Sequence, residues 1–531
     1  MVIFFNKAMR APWEGETSIY AYIQKQIKDE GRLINTSLPD DEEYWAGSKM
    51  RWVAGGMDGA MGHHAARGNL TDELRELVHQ LAKQSRKPRR SLRKAIYRKL
   101  IKADIGGKID AVLEELRKHP GVNPEHVFSE GKWLAENGAH RNVVKFGIAL
   151  LGLFQNEHVK ELLLTLGKHE EFTLYATVAI QNGMEDENNV LFELVKDVNG
   201  WGKIHIVERL EPSTPEIKQW LLRKGCQNSV MNEYLACICA RNGELHAALS
   251  SEQVDSELYE GATDIIQALL NGGPAEDIDD YEHAPQVISN YLRLSYTMCN
   301  ALKPLSVILE IRDLLSHTDE MWEKRMSLGW TEELRMEILA ASQRIITLSK
   351  WESLVIDAVN STDRVDRYYG VVCAKKLGID SWDALYTQLL TNPLQESFYY
   401  DLMKTDDLQR IEKLVQLAED HLPLQEIATG PKDEMGLGQE YVPHRCLLGI
   451  LQRLDEYEGM GKRLLAVGLN SPVTSNRNMA LKALEAWEAS SWGNELVIAL
   501  NKLAEIEPNE SVRERVLRLK EVKYSLFTLE E

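Results

Sequence analysis

From about residue 70 onward, apolar residues recur three and four apart in segment after segment, a period that fits a helix and not a strand. In "NLTDELRELVHQLAKQ", Leu74, Leu77, Val78 and Leu81 fall at i, i+3, i+4 and i+7 behind Thr71. Asp72 and Glu73 follow at the positive end of the helix they would open. The stripe returns at Ile109, Val112, Leu113 and Leu116, and at Val159, Leu162, Leu163 and Leu166. Strand-like alternation is scarce, so the expected class is all-α. Each helix has one apolar face that a neighbour must cover.

Four helix starts resemble one another: "HRNVVKFGIALLGLF" from His140, "STDRVDRYYGVVCAKKLG" from Ser361, "TSNRNMALKALEAW" from Thr474 and "NESVRERVLRLKEV" from Asn509. Each has a polar start, an early Arg, then small or branched apolar residues. The last two starts lie about thirty-five residues apart. The pattern predicts a degenerate HEAT/armadillo-like helical repeat array (α-solenoid) rather than a compact multi-helix domain. Residues 1–70 form an irregular cap, 71–118 amphipathic and basic helices, and 119–531 the array. Loops are expected near 271–286, rich in acids and without EF-hand order, and near 429–443, rich in Gly and Pro.

The totals limit the partners. A 531-residue chain with 44% hydrophobic and 27% charged residues is a folded protein, and a formal charge of −19 opposes coating of nucleic acid or an anionic membrane. The six cysteines have no CxxC pair and read as buried thiols of a reducing compartment. "MVIFFNKAMRAPWEG" has too short an apolar run for a signal peptide, and "VVKFGIALLGLF" is short and carries Lys145. A cytoplasmic location without membrane partners is expected.

Against that acidic background, "KQSRKPRRSLRKAIYRKLIK", Lys83 to Lys102, holds ten Lys or Arg and no acid. Arg90, Lys94, Arg98 and Lys102 lie four apart, a row of like charges on a helix starting near Ser91. Something negative should lie against it. A nucleic-acid backbone is one candidate, but a gripping solenoid spreads its charge over many repeats. The chain's own acidic surface is preferred.

The stretch "WAGSKMRWVAGGMDGAMGHHAARG" is the most unusual: six Gly, three Met, two Trp and adjacent His63 and His64. It reads first as a cap over the exposed end of the array. Its second reading is a pocket for a small apolar ligand, lined by Trp45, Trp52, Met57 and Met61 with His63 or His64 as polar anchor. Gly56, Gly59 and Gly62 do not make the spacing of a dinucleotide loop, and neither do Gly436 and Gly438. Glu76 and His79 supply only half of a di-iron ligand set. No haem-thiolate loop, P-loop, nucleophile elbow or zinc motif is present, so no catalytic residue and no metal ligand is assigned.

The segment "WAGSKMRWVAGGMDGAMGHH", with "VNGWGKIHIVERLEPSTPEIKQWLLRKGCQNSVMNEYLA" from Val198, resembles a group of bacterial all-helical proteins that includes one described as a limonene hydroxylase. The resemblance implies an oxidoreductase, a monooxygenase converting this monoterpene to carveol or perillyl alcohol, with an NAD-linked alcohol dehydrogenase activity. It also implies NAD(P)H or an external reductase as cofactor, since side chains alone do not oxidise such C–H bonds. It brings no catalytic residue. The residues themselves point to a non-catalytic scaffold that binds a protein partner, with nucleic-acid binding through 83–102 a further alternative.

Overall fold

The structure, a computed structural model, describes residues 10–27, 33, 36–48, 51–64, 70–103, 105–316 and 320–527. Among them the secondary structure is helical apart from two isolated bridges, Ile27–Leu33 and Glu434–Val473. The leading stripe folds as read. Thr71 Oγ1 accepts from the Leu74 amide to cap the helix Asp72–Arg86, and Leu74, Leu77, Val78 and Leu81 are all buried. They share a core with Tyr97, Leu100, Val112, Phe146 and Leu150.

The chain divides into two compact units, Met1–Asn300 with Val307–Ile346, and Ala301–Ser306 with Thr347–Glu531. In the first, Arg141–Leu151 packs on Pro124–Asn137 before it and on Glu170–Gly183 beyond it; Glu170–Gly183 packs in turn on Gly200–Val207, and that helix on Glu233–Asn242. In the second, Lys462–Leu469 packs on Thr474–Ala486 and Gly493–Ile506, and Thr474–Ala486 on Glu510–Phe527. In both runs a helix packs on another one or two places along the chain. This is the packing of a HEAT-like helical repeat array, in which a helix pair buries its apolar faces by stacking.

The early arginines have a shared use. Arg367 Nη1 donates to Ser361 O (2.9 Å), Arg477 Nη1 to Ser471 O (2.9 Å) and Arg513 Nε to Glu507 O (2.9 Å). In each case the carbonyl lies six residues upstream, so the guanidinium clips the preceding loop to its own helix. Arg141, the fourth, is used otherwise.

The acidic stretch runs from the end of Ser256–Asn271 to the start of Ala284–Met298. Three of its five acids are held by arginines of this chain: Glu276 and Glu282 by Arg241, and Asp279 by Arg325 at 2.8 and 3.0 Å. The Gly/Pro-rich stretch carries Glu434 into its bridge with Val473 before the helix Val442–Leu451. All six cysteines are buried, and burial pushes the thiols of Cys237, Cys239 and Cys446 up to about 12, which leaves them unreactive. Among the described residues, no helix is long and apolar enough to cross a membrane.

Candidate functional site

The glycine-rich stretch, read as irregular, contains a helix, Gly56–His64. Its glycines are explained by what it lies on. The helix packs against Gly200–Val207 so closely that a Cβ on Gly59 would stand 2.3 Å from the indole of Trp201. Gly55, just before it, has φ +70°, and a Cβ there would meet the Glu170 carbonyl oxygen at 2.6 Å. A bare backbone is needed at both.

Charge fixes this cap helix in place. Asp58 accepts from Lys145 Nζ (2.6 Å) and from the Tyr175 hydroxyl (3.2 Å). Lys145 Nζ also donates to Glu171 Oε1 (2.6 Å), whose Oε2 accepts from the Gly55 amide (3.1 Å). Burial works against the charge of Lys145, but Glu171 and Asp58 outweigh it and raise its pKa. Burial likewise opposes ionisation of Glu171, yet Lys145 and Arg141 hold its carboxyl below the usual range. The cluster is a mutually neutralised network, which is how charges survive away from water. A second tie lies beside it. Arg141 donates to Asp40 from its backbone N (2.7 Å), Nε (3.3 Å) and Nη2 (3.1 Å), also reaches Asp41, and stacks over Tyr44 at 4.1 Å. His169 is neutral there: Nδ1 accepts from the Glu171 amide (3.2 Å), Nε2 donates to Thr36 O (3.0 Å), and burial pushes its pKa down to about 4.

Between cap helix and array lies a cavity of about 340 Å³. Its apolar wall includes Met61, Leu113, Leu153, Leu174 and Val178. Asp58, Tyr175, His205, Glu208 and Arg209 stand at its polar part. The size and the few polar groups are those of a small-molecule pocket.

Of the six residues expected around one pocket, the four whose side chains are described do not line a single space. Met61 lines this cavity, whereas Trp45 and Trp52 border a separate one of about 250 Å³ with Arg141, His169 and Glu171. Met57 is exposed and meets the Tyr44 hydroxyl at 4.0 Å. His63 and His64 end the cap helix, and their side chains lie outside the described residues. The composition of the stretch did not reveal Lys145, Glu171, Tyr175 or His205. Lys145 carried the one available signal, a lone charge inside an apolar run.

The basic helix spans Arg90–Lys102, one residue earlier than the start near Ser91. Three of its cations meet carboxylates of this chain: Arg93 with Glu130 at 2.8 Å, Lys99 with Glu76 at 2.8 Å and, from the expected row, Arg90 with Glu14. Lys94 is half-buried, and the burial of its stem, with the charges of Arg98 and Arg90, lowers its pKa. Arg98 and Lys102 are exposed. Glu76 is thus an ion-pair partner, while His79 Nδ1 meets His119 Nε2 at 3.1 Å. Among the described residues, no three His, Cys, Asp or Glu side chains converge on a position that could hold a metal ion.

No family model matches the chain, and no curated protein does. Among solved structures, a homology model of the full-length AP-3 complex in an intermediate open conformation aligns with 99% of this chain and 100% of that chain, at 11% identity and a TM-score of 0.28. A likeness of that size carries no argument about function.

Proposed function

We propose that this chain is a helical-repeat binding scaffold that holds a small, largely apolar molecule between its N-terminal cap helix and the first helices of the array. The cavity of about 340 Å³ carries the reading. Its charged lining comprises Asp58, already paired with Lys145, Glu208 beside Arg209 at 3.4 Å, and Asp110, a set that offers an anionic ligand little and suits a neutral or cationic one. An apolar monoterpene, the substrate class implied by the resemblance, belongs to that chemistry. The lining has one His and no Cys, which lacks the thiolate of a haem-thiolate oxygenase and the second His of a di-iron carboxylate site, so no oxygenation step is derived from it.

The test compares a monoterpene hydrocarbon, an apolar amine and an apolar carboxylate of similar size by equilibrium dialysis. The first two should bind and the carboxylate least. Ala149→Leu, which fills the cavity, should weaken the hydrocarbon by about tenfold or more, the equivalent of about 1.4 kcal/mol. Equal binding in that variant sinks the reading.

A second reading, a protein partner, is favoured by one feature of the second unit. Val365 and Tyr368, three apart on the helix Arg364–Leu377, are each 61% exposed, and Leu390 and Leu394 are also exposed. Large apolar groups left in water at helix-neighbour spacing suit protein contact. Loss of a partner from Val365→Ser/Tyr368→Ser, with the fold intact, is the expected result.

A further inference from the structure

On the opposite side of the helix Gly200–Val207 lies a cleft of different chemistry. His205 of that helix lines the apolar cavity and Lys203 lines the cleft; the two spaces share no lining residue. The cleft measures about 720 Å³ and is bordered by four lysines, Lys168, Lys196, Lys203 and Lys224, against two acids, Glu170 and Asp197. In a chain of net charge −19, this excess of cations at one concave site is the reverse of the average surface.

Its framework is fixed before any ligand arrives. Lys203 is buried, and its Nζ donates to Lys224 O and Gln227 O, both at 2.6 Å, which holds the ammonium 5.2 Å from the Trp220 ring centre. An ammonium has three donors, and these bonds use two. Asn228 organises the loop that forms one wall: its Nδ2 donates to Cys226 O and Met231 O, and its Oδ1 accepts from the Val230 and Met231 amides, both at 2.9 Å. Asn199 Oδ1 joins that loop to the helix by accepting from the Ser229 and Gly200 amides. Inside the cleft Lys168 pairs with Asp197 at 2.9 Å; at the rim, Lys196 pairs with Glu216 at 3.4 Å and Lys224 with Glu257 at 2.8 Å, and those two acids are 75% and 50% exposed. Exposed pairs of this kind are weak and yield to a competing anion. Burial pushes Glu170 up to about 7 and also lowers the pKa of Lys203, so it trims charge of both signs inside the cleft.

We propose that this cleft binds a phosphate ester of nucleotide size, with the lysines on the phosphates and Trp220 against the body of the ligand. Several lysines around one cleft, two of them held by exposed acids that an anion can displace, match a polyanion better than a single carboxylate, and the aromatic wall beside them gives a ring system a face to lie on.

Calorimetric titration of the full chain at low ionic strength tests it, using ADP, ribose 5-phosphate and inorganic pyrophosphate as probes. ADP should bind, and more tightly than pyrophosphate. Lys196→Gln/Lys224→Gln alters two exposed side chains, should leave the unfolding midpoint unchanged, and should weaken ADP by about tenfold. Binding by the unaltered chain should also weaken with added salt. Ribose 5-phosphate as tight as ADP would support the phosphate ester and make the body a sugar. No heat from any probe at millimolar concentration, unchanged ADP affinity in the double variant, or salt-independent binding each overturns the assignment. Ala149→Leu, which tests the apolar cavity, should leave ADP binding intact, so failure at one site is read separately from failure at the other.

Discussion

Arg141 opens a helix of the first unit and Arg477 lies in the first turn of Thr474–Ala486 in the second; both are buried and both meet carboxylates. Arg477 stays within the repeat. It clips Ser471 O and Pro472 O and forms a two-pronged pair with Glu507, both bonds 2.7 Å, with neither side chain exposed. Glu507 lies thirty residues on, and its own carbonyl is the one that Arg513 clips. Arg141 also approaches the Glu thirty residues on, Glu171, at 3.9 Å, but its hydrogen bonds reach back about a hundred residues to Asp40 and Asp41, outside the helices that repeat. Arg477 joins one repeat to the next, whereas Arg141 directs its hydrogen bonds to the cap segment, where Lys145 adds a second hold one turn along.

The difference sets the largest expected effects. Arg477→Met strands a fully buried carboxylate and should cost about 3–5 kcal/mol, seen as a lower urea midpoint for the second unit. Arg141→Met strands Asp40 too, but residues 36–64 can detach and return their carboxylates to water. That variant should lose hydrogen-exchange protection across the cap while the helices Glu233–Asn242 and Ser256–Asn271 keep theirs. If Arg141→Met unfolds the first unit as completely as Arg477→Met unfolds the second, the distinction between cap and repeat fails.

Gly59→Val sharpens the same contrast without touching a charge. Its Cβ enters the space of the Trp201 ring, and overpacking of this kind costs about 1–3 kcal/mol. The expected readouts are loosened protection over Gly56–His64 and weaker binding of the apolar probe, with ADP unaffected.

The repeats were far more legible in the sequence than the cap. Leu74, Leu77, Val78 and Leu81 announce their helix because one-sided burial repeats every 3.6 residues, and the early arginines announce the repeat because the same loop must be clipped each time. The cap has no period to detect. Its helix Gly56–His64 is held by Asp58 and two glycine contacts whose partners, Lys145, Gly55's Glu171 and Trp201, lie some 90 to 140 residues away. Composition gathered Trp45, Trp52, Met57 and Met61 into one imagined pocket, but adjacency in sequence does not decide which side of a backbone faces which space. The lysines of the cleft escaped notice for a related reason: they come from four separate segments and sum to a positive site only in the fold.

Glu170 gives a gentler test, by pH. Burial is the main cause of its raised pKa, opposed by the Trp201 and Gly202 amides, so the folded chain binds a proton more tightly than the unfolded chain does. Between about 4.5, the ordinary value, and about 7, the native state therefore holds more protons at this position than the unfolded state. Its contribution to stability must fall as pH rises through that window. Glu170→Gln should flatten this slope for the first unit and leave the second unit's pH profile unchanged, as read from urea midpoints at pH 5 and pH 8.

The smallest expected effect on stability belongs to Val365→Ser/Tyr368→Ser, because both side chains are 61% exposed and fill no core. Substitutions of that kind shift stability by no more than about 0.5 kcal/mol. The core of the second unit is made by buried side chains such as Leu414, Leu447, Leu465, Leu481 and Leu500, and these two exposed groups add nothing to it. A loss well beyond that value would mean that Val365 and Tyr368 serve the fold, and the protein-partner reading would lose the observation it rests on. An unchanged midpoint together with a lost partner would separate binding surface from core in the second unit, as Ala149→Leu is designed to separate them in the first.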